Sequence, residues 1–327
     1  MDRKYDVTAL GELLIDFTEN GKSAQGNPVM EANPGGAPCN VLALLNRLGH
    51  KTAFIGKVGD DMFGSQLADA LSEVGIDSSG LIRDKEIHTT LAFVHTFPDG
   101  DRDFSFYRKP GADMMLKKEE IPDEIIRGSR IFHFGSLSMT DEPCREATKY
   151  AISLARKSGA ILSFDPNLRE PLWDSLDTAR EMIDFGMRNC DILKISDNEV
   201  QWFTGLDDLE KGAEEIRKMY QPKLMLMSLG KEGSVAYSGD ARAFVKPFLQ
   251  EHTIETTGAG DTFCGSVLHY VLTHCEEGAG IRAFSETELI QMLQFANAAA
   301  SIITTRRGAL RVMPSMEEIK ALLRERT

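Results

Sequence analysis

The chain has 327 residues, 42% of them hydrophobic, so it is long enough to bury a sizeable core in one large α/β domain or in two domains. Its 37 basic and 50 acidic residues give a formal net charge of −13, which argues against nucleic acid or an anionic membrane as a partner. The five cysteines form no CxxC pair, and no apolar stretch approaches the ~18 residues that a membrane span needs. We therefore expect reduced thiols and a cytoplasmic protein.

Short apolar runs alternate with amphipathic stretches along almost the whole chain. This alternation predicts a single α/β domain whose central sheet is mainly parallel and flanked by helices on both faces. The predicted strands are residues 7–10, 52–57, 131–134, 160–164, 192–195 and 223–228, and the predicted helices are residues 38–48, 63–74, 143–157, 176–188, 209–220, 262–274, 286–304 and 316–324.

Two segments interrupt the alternation, at about residues 12–34 and 86–110. Both are rich in turns and alternate polar with apolar residues, and the second contains the hairpin signal Pro98-Asp99-Gly100-Asp101. Two short β insertions near one end of the sheet predict a small β-sheet lid over a ligand site.

Several positions near these segments carry groups suited to a small polar ligand. Asp16 follows the first predicted strand, and Asn40 follows Gly35-Gly36 at the start of a predicted helix. An amide both donates and accepts hydrogen bonds, and a carboxylate accepts two hydroxyl hydrogens. Phe104 and Arg108 share one face of a lid strand. Each position also has an ordinary structural explanation when it is taken alone. Asp16 fits a solvated loop acid, Gly35-Gly36 fits a turn before a helix, and Phe104 and Arg108 fit a packed strand face.

Three later predicted strands end in polar turns. They are followed by Asp165-Pro166-Asn167-Leu168-Arg169, by Lys194-Ile195-Ser196-Asp197-Asn198-Glu199, and by Ser228-Leu229-Gly230-Lys231-Glu232-Gly233. Ordinary turns explain each of these strings when it is taken alone.

The most informative segment is Glu255-Thr256-Thr257-Gly258-Ala259-Gly260-Asp261-Thr262-Phe263. Its glycines allow a sharp turn and close approach to a ligand, and the helix that follows would face an anion with its free N–H groups. A carboxylate beside an anion site repels phosphate. Asp261 makes sense there if it takes a proton from a hydroxyl that attacks the phosphate.

This segment, ETTGAGDTF, and the string PGGAPCNVLALLNRLG resemble the two signatures of the ribokinase-like (PfkB) carbohydrate kinases. They lie more than 200 residues apart in the family's order. The string FDPNLREPLW is similar to the fructokinase and 2-keto-3-deoxygluconate kinase branches of the family. The resemblance implies the ribokinase-like fold and transfer of the γ-phosphoryl of magnesium-ATP to a sugar hydroxyl.

The resemblance also implies roles for particular residues. Asp261 would be the catalytic base, the turn Gly258, Ala259 and Gly260 the anion hole, and Arg169 a contact of the transferring phosphate. Sugar contacts would come from Asp16, Gly35, Gly36, Asn40, Phe104, Arg108 and Asp165, and nucleotide contacts from Lys194, Glu199, Ser228, Gly230, Gly233, Gly258, Gly260 and Asn297. Glu199 would organise magnesium through water.

Many members of the family bind a monovalent cation beside the anion hole. The matching positions are Glu255, Thr257, Ile303, Arg306 and Gly308. Glu255 stands where the family usually has Asp, and Val312 stands where ribokinase has a hydroxyl. A requirement for potassium therefore stays open.

The combined strings favour D-fructose, phosphorylated at O6, as the acceptor. 2-Keto-3-deoxygluconate is the nearest alternative, because Arg108 would suit its carboxylate. A catalytically silent sugar-binding protein on the same fold has no need of Asp261, and a dinucleotide-dependent dehydrogenase would show a GxGxxG after the first strand.

We also expect a homodimer, because an exposed strand edge of the lid favours pairing with the lid of a second copy of the chain.

Overall fold

The computed structural model describes residues 3–96, 102–250 and 252–325, and only the backbone of residues 95–96 and 102–104. The predicted turn at Pro98–Asp101 and the side chain of Phe104 lie outside this description. Thirteen strands are described: β1 (Tyr5–Leu10), β2 (Leu14–Lys22), β3 (Pro28–Gly35), β4 (Thr52–Gly59), β5 (Asp77–Asp84), β6 (Leu91–Thr96), β7 (Arg102–Tyr107), β8 (Ser129–Gly135), β9 (Ile161–Asp165), β10 (Ile192–Ser196), β11 (Leu224–Ser228), β12 (Ser234–Ser238) and β13 (Ala241–Val245).

The α-helices in the described ranges are α1 (Ala37–Arg47), α2 (Met62–Glu73), α3 (Asp123–Arg127), α4 (Cys144–Lys157), α5 (Leu176–Arg188), α6 (Asp197–Thr204), α7 (Leu209–Tyr220), α8 (Ala259–His274), α9 (Glu286–Ile303) and α10 (Met316–Glu325). None of them combines the length and apolar character required to cross a bilayer.

Nine strands form the central sheet, in the order β13-β12-β11-β10-β9-β8-β1-β4-β5. From β11 to β5 all neighbours run parallel, and β12 and β13 are added antiparallel at one edge. The strand order reverses between β1 and β8, since β1 leads to β4 on one side while β8 leads to β9 on the other. Ligands bind at such a reversal, outside the carboxyl ends of the strands.

The parallel strands are buried on both faces, as their continuous apolar sequences require. Ala9 packs into one core cluster with α1, α8 and α9, and its neighbour Leu10 packs into a second cluster with α4 and α5. In the second cluster the rings of Phe134 and Phe164 stack with centroids 4.9 Å apart. The central sheet is therefore a rigid layer whose loops at one edge are held in place from both sides.

A second sheet of four strands, in the order β3-β2-β6-β7, stands apart from the central one and forms the lid. Its strands fall in the two segments that interrupt the sequence pattern. On β2 the alternate residues Leu14 and Asp16 face the cleft described below, while Phe17 stacks on Phe93 of β6, with ring centroids 4.8 Å apart. The lid thus faces the cleft with Leu14 and Asp16 of β2 and packs Phe17 against Phe93 on its other side.

Five elements of the described fold are absent from the predicted ones: β5, β12, β13, α3 and α6. Two of them show why a sequence pattern can fail. Strand β5 has the polar sequence DSSGLIRD, because it lies at the edge of the sheet and is only partly buried. Helix α6 is eight residues long, too short for a periodic signal, although Ser196 and Glu199 form a capping box that marks its start. Helix α8 begins at Ala259, three residues before the predicted start.

Candidate active site

A cleft of about 320 Å³ opens at the carboxyl edge of the central sheet, under the lid. It lies at the reversal of strand order, between the loops that follow β1 and β8. The lining residues are Glu12, Leu14, Asp16, Gly36, Ala37, Asn40, Phe106, Leu137, Asn167, Arg169, Lys194, Thr256, Thr257, Gly258, Gly260 and Asp261. The structure thus brings together residues that lie almost 250 positions apart in the sequence.

Asp261 lies in the first turn of α8, at the floor of the cleft. The turn before it depends on Gly258, whose φ of 76° is left-handed and which lies against Ala309, so a side chain at 258 would meet both strain and a clash. The N-cap residue is Gly258, which has no side chain with which to cap the helix. Its N–H groups and its dipole therefore suit an anion. Asn40 of α1 donates a hydrogen bond from Nδ2 to Asp261 Oδ2 at 2.8 Å.

Burial raises the pKa of Asp261 to about 6, helped by the negative charge of Asp165 and opposed by the Asn40 hydrogen bond and by Lys194 and Arg169. Burial likewise raises the pKa of Asp16 to about 7, together with the charges of Glu255 and Asp261. At pH 7 Asp261 is therefore mainly ionised and close to its proton-binding range, as a general base requires.

The opposite wall of the cleft is built around two glycines at the start of α1. A Cβ at position 35 would overlap the carboxylate of Asp16, and one at position 36, where φ is 125°, would overlap the backbone of Glu12. Glu12 accepts a hydrogen bond from the N–H of Ala37 at 2.9 Å, in the first turn of α1. Close packing of Asp16, Glu12 and the helix end therefore requires glycine at both positions.

Lys194 and Asp165 form a buried ion pair beneath the turn before α8, with Nζ and Oδ2 2.9 Å apart. Burial opposes the charge of Lys194, but the carboxylates of Asp165 and Glu199 outweigh it and raise its pKa. The ammonium lies 3.3 Å from the place that a Cβ of Gly260 would occupy. Lys194 thus carries a fixed positive charge beside the anion-facing turn.

A model of the "pfkB family carbohydrate kinase" matches residues 4–316, nearly the whole length of the chain. The chain belongs to the pfkB family of carbohydrate kinases. Fructokinase-1 of Zea mays is 40% identical over 321 residues, which cover 97% of this chain and 97% of the maize protein.

Two solved structures confirm the ribokinase-like fold. A fructokinase from Xylella fastidiosa with bound ATP gives a TM-score of 0.87 at 30% identity and covers 98% of both chains. A double mutant of fructokinase from Vibrio cholerae O395, in fructose, ADP and potassium ion bound form, gives a TM-score of 0.86 at 28% identity and covers 99% of both chains.

In this carbohydrate kinase, Glu199 connects two segments of the cleft. Its carboxylate accepts hydrogen bonds from the N–H of Leu168 at 2.8 Å and from the N–H and hydroxyl of Ser196 at 2.8 and 2.9 Å. Leu168 directly precedes Arg169, which is exposed at the mouth of the cleft. Glu199 therefore fixes the loop that carries Arg169, a task that the sequence did not indicate.

Arg108 and Asp165 are placed differently from the sequence expectations. Arg108 does not project from the lid: it is 4% exposed and donates from Nε to Asp113 at 2.7 Å, from Nη1 to Thr140 and from Nη2 to the carbonyl of Leu137. Asp165 is bound to Lys194 and to the N–H of Asn167, and it is not part of the cleft lining. Burial selects these partners, because a buried charge needs a counter-charge.

Four of the predicted nucleotide residues, Ser228, Gly230, Gly233 and Asn297, lie at the antiparallel end of the central sheet. Ser228 ends β11 directly beside Ser196 of β10. Gly230 and Gly233 have left-handed φ angles of 52° and 114°, and Gly233 packs on the backbone of Val245. Asn297 is buried, accepts a hydrogen bond from Ser234 and donates to the carbonyls of Val245 and Lys246. Asn297 therefore fastens α9 to β12 and to the end of β13.

The predicted cation segment is assembled in the structure. Glu255 accepts a hydrogen bond from the N–H of Gly308 at 3.2 Å, and its own N–H donates to the carbonyl of Thr304 at 3.1 Å. The carbonyl of Ile303 accepts from the N–H of Arg306 at 3.1 Å. The two strings of the expected site are thus adjacent beside α8, and some of their oxygens already bind backbone N–H groups.

The sequence-based assignments give no role to seven residues that line the cleft: Glu12, Leu14, Ala37, Phe106, Leu137, Asn167 and Thr256. Phe106 shares its strand face with Phe104 and Arg108, and Asn167 has a φ of 44° in the Asp-Pro-Asn turn, so both left a signal in the sequence. Glu12 and Leu137 left none, since only the juxtaposition of β1 and β8 brings them to the cleft.

The buried pair of Arg108 and Asp113 gives a stability prediction. Asp113→Asn leaves the guanidinium without its carboxylate and should lower the free energy of unfolding by about 3–5 kcal/mol in urea denaturation. The matched control is Asp208→Asn, which removes an exposed partner of Lys211 and keeps a good helix cap, and it should stay within about 1 kcal/mol of the parent. Equal effects of the two variants would contradict this account of Arg108.

Proposed function

We propose that this carbohydrate kinase transfers the γ-phosphoryl of ATP to the O6 hydroxyl of D-fructose. The observation that carries the proposal is the position of Asp261, an ionisable carboxylate in the first turn of an uncapped helix N-terminus, facing the polyol-binding wall of the same cleft. The names of the Zea mays and Xylella fastidiosa relatives support fructose as the acceptor.

In the proposed mechanism Asp261 takes the proton of the sugar hydroxyl as its oxygen attacks the γ-phosphorus and the bond to the β–γ bridging oxygen breaks. Negative charge spreads over the transferring phosphoryl group in this transition state. The backbone N–H groups of residues 258–261 would stabilise that charge, together with the fixed ammonium of Lys194 and the exposed guanidinium of Arg169. Asp165 holds Lys194 in position.

Magnesium would neutralise the charge of the ATP phosphates. Both oxygens of Glu199 already accept hydrogen bonds, three in total, from Leu168 and Ser196. This leaves little room for direct coordination and fits an ion that retains its water, which Glu199 would bind as an outer ligand. Ser228, Gly230 and Gly233 would border the nucleotide, and Asn297 would support that wall from behind. A potassium ion would bind at Glu255, Thr257, Ile303, Arg306 and Gly308, and the comparison of sodium with potassium below tests this site.

The charges around the sugar wall favour a neutral acceptor over a keto-acid. Glu12, Asp16 and Asp261 all line the cleft, while the guanidinium of Arg108 is already neutralised by Asp113. Arg108, the residue expected to meet a sugar carboxylate, is buried and already paired, and Arg169, the exposed arginine of the cleft, is assigned to the transferring phosphate. Gly35, Gly36, Asn40 and Phe106 would complete the sugar site, and Phe104 lies on the same lid strand.

The first test is the initial rate of ADP formation with magnesium-ATP and a panel of D-fructose, 2-keto-3-deoxygluconate, D-ribose, D-glucose and adenosine, each in sodium and in potassium. We expect the highest kcat/KM with fructose, because the similar Zea mays and Xylella fastidiosa proteins are fructokinases. A preference for the keto-acid would overturn the neutral-acceptor argument. Sugar binding without any turnover would identify a silent binding protein, and the salt comparison decides whether Glu255 supports a cation site.

Asp261→Asn tests the base. The amide keeps the shape of the side chain but cannot take a proton, so kcat should fall by about 10²–10⁴-fold while fructose affinity changes only a few-fold. Steady-state kinetics and calorimetric titration measure the two quantities. The exposed Asp240→Asn variant is the control and should retain the parental kcat. Near-normal turnover in Asp261→Asn would rule out its role as base.

We also propose that the chain acts as a homodimer in the cytoplasm. The lid has two edge strands, β3 and β7, and its Tyr107 is 67% exposed. Strand edges and exposed aromatic side chains are typical of a surface that binds a second copy of the chain. All five cysteines are free thiols, as in a reducing compartment.

Light scattering after gel filtration should give twice the chain mass of 36.2 kDa. Tyr107→Glu should shift the protein toward monomer, because it places a charge on the exposed lid surface, whereas Met219→Glu on α7 should not. A monomeric parent protein at micromolar concentration would contradict the proposal.

A further inference from the structure

We propose that Asn40 is a positioning residue for the base, and that its single amide group links the orientation of Asp261 to the binding of the sugar. The inference rests on the proposed function. It goes beyond a sugar contact, because it assigns Asn40 an effect on the reacting carboxylate itself.

The geometry of Asn40 is fixed from several sides. It lies in the first turn of α1, its N–H donates to the carbonyl of Gly36 at 3.0 Å, and it is only 4% exposed. Helix α1 packs along α8, where Val41 and Leu44 contact Gly265. The backbone of Asn40 is therefore held by the packing of two core helices, and the hydrogen bond to Asp261 sets the orientation of its amide.

The nitrogen and the oxygen of the Asn40 side-chain amide differ in their hydrogen bonding. Nδ2 donates to Oδ2 of Asp261 at 2.8 Å. Oδ1 is buried and has no hydrogen-bond partner among the described residues, although Asn40 lines the cleft. A buried acceptor without a partner is costly, so this oxygen is suited to a hydroxyl of the bound sugar. A sugar bound there would share one rigid amide with the base.

The hydrogen bond has two consequences for Asp261. It occupies Oδ2, so Oδ1 is left to receive the proton of the attacking hydroxyl. It also stabilises the ionised carboxylate against burial. The other charged groups that act on Asp261 are Asp165 on β9 and Asp16 on β2, which favour protonation, and Lys194 on β10 and Arg169 after β9, which favour ionisation.

The test is the pH dependence of kcat for the full-length enzyme with saturating ATP and fructose. The parental kcat should fall as the pH drops below about 6, because the base becomes protonated. In Asn40→Ala the acid limb should move up by about one pH unit, since a donor to the charged form is lost. At pH 7 kcat should fall by about 10–100-fold, because the carboxylate is no longer oriented.

Asn46→Ala is the matched control. Asn46 lies on the same helix and donates to the carbonyl of Gly75 at 2.7 Å, away from the lining of the cleft, so its kcat and pH profile should match the parent. Asn40→Ser provides a second substitution at the site if Asn40→Ala does not fold. Both should shift the acid limb in the same direction.

A higher KM for fructose with unchanged kcat and unchanged pH profile would overturn the inference, because it would make Asn40 a sugar ligand only. Failure of the proposed function looks different, since the parent enzyme itself would then turn over no fructose.

Discussion

The proposed reaction requires a carboxylate base and the phosphates of ATP within a few ångströms of each other, and the buried pair of Lys194 and Asp165 supplies positive charge at that place. A chain of net charge −13 attracts no nucleotide by its overall field, so positive charge has to be supplied locally. Asp165 keeps the ammonium charged and fixed beside the turn before α8. The N–H groups of that helix end add a second source of positive potential without adding a side chain.

The same constraint explains the raised pKa values around the cleft. Asp16 and Asp261 lie in one acid-rich cleft, where burial and neighbouring carboxylates raise both pKa values: Asp261 acts on Asp16, and Asp165 acts on Asp261. Ionising them in the folded state at neutral pH opposes folding, a cost that is common at functional sites. In two buried pairs, Lys194 with Asp165 and Arg108 with Asp113, each cation lies beside a carboxylate. These ion pairs limit the cost that buried charge adds to the free energy of folding.

The backbone contributes as much as the charged groups do. Gly35, Gly36 and Gly258 occupy positions where a Cβ would overlap Asp16, Glu12 or Ala309. The glycines in these sequence strings therefore indicate positions where the backbone packs closely against other residues. The lid, by contrast, shows in the sequence mainly as a break in the strand–helix alternation. Its packing depends on contacts among Phe17, Phe93 and Phe63, which are far apart in the sequence.

The sequence alone determined the family, the mainly parallel sheet, the lid segments and the helix that begins at the glycine turn, because these depend on local pattern and on neighbouring residues. Only the tertiary structure decided the partners of the buried charges. Hydrogen bonds join Arg108 to Asp113, Glu199 to Leu168, and Asn40 to Asp261, and the last two residues lie 221 positions apart in the sequence. The physical reason is that a buried charge takes whichever partner the packed strands bring within reach, and no local pattern specifies that partner.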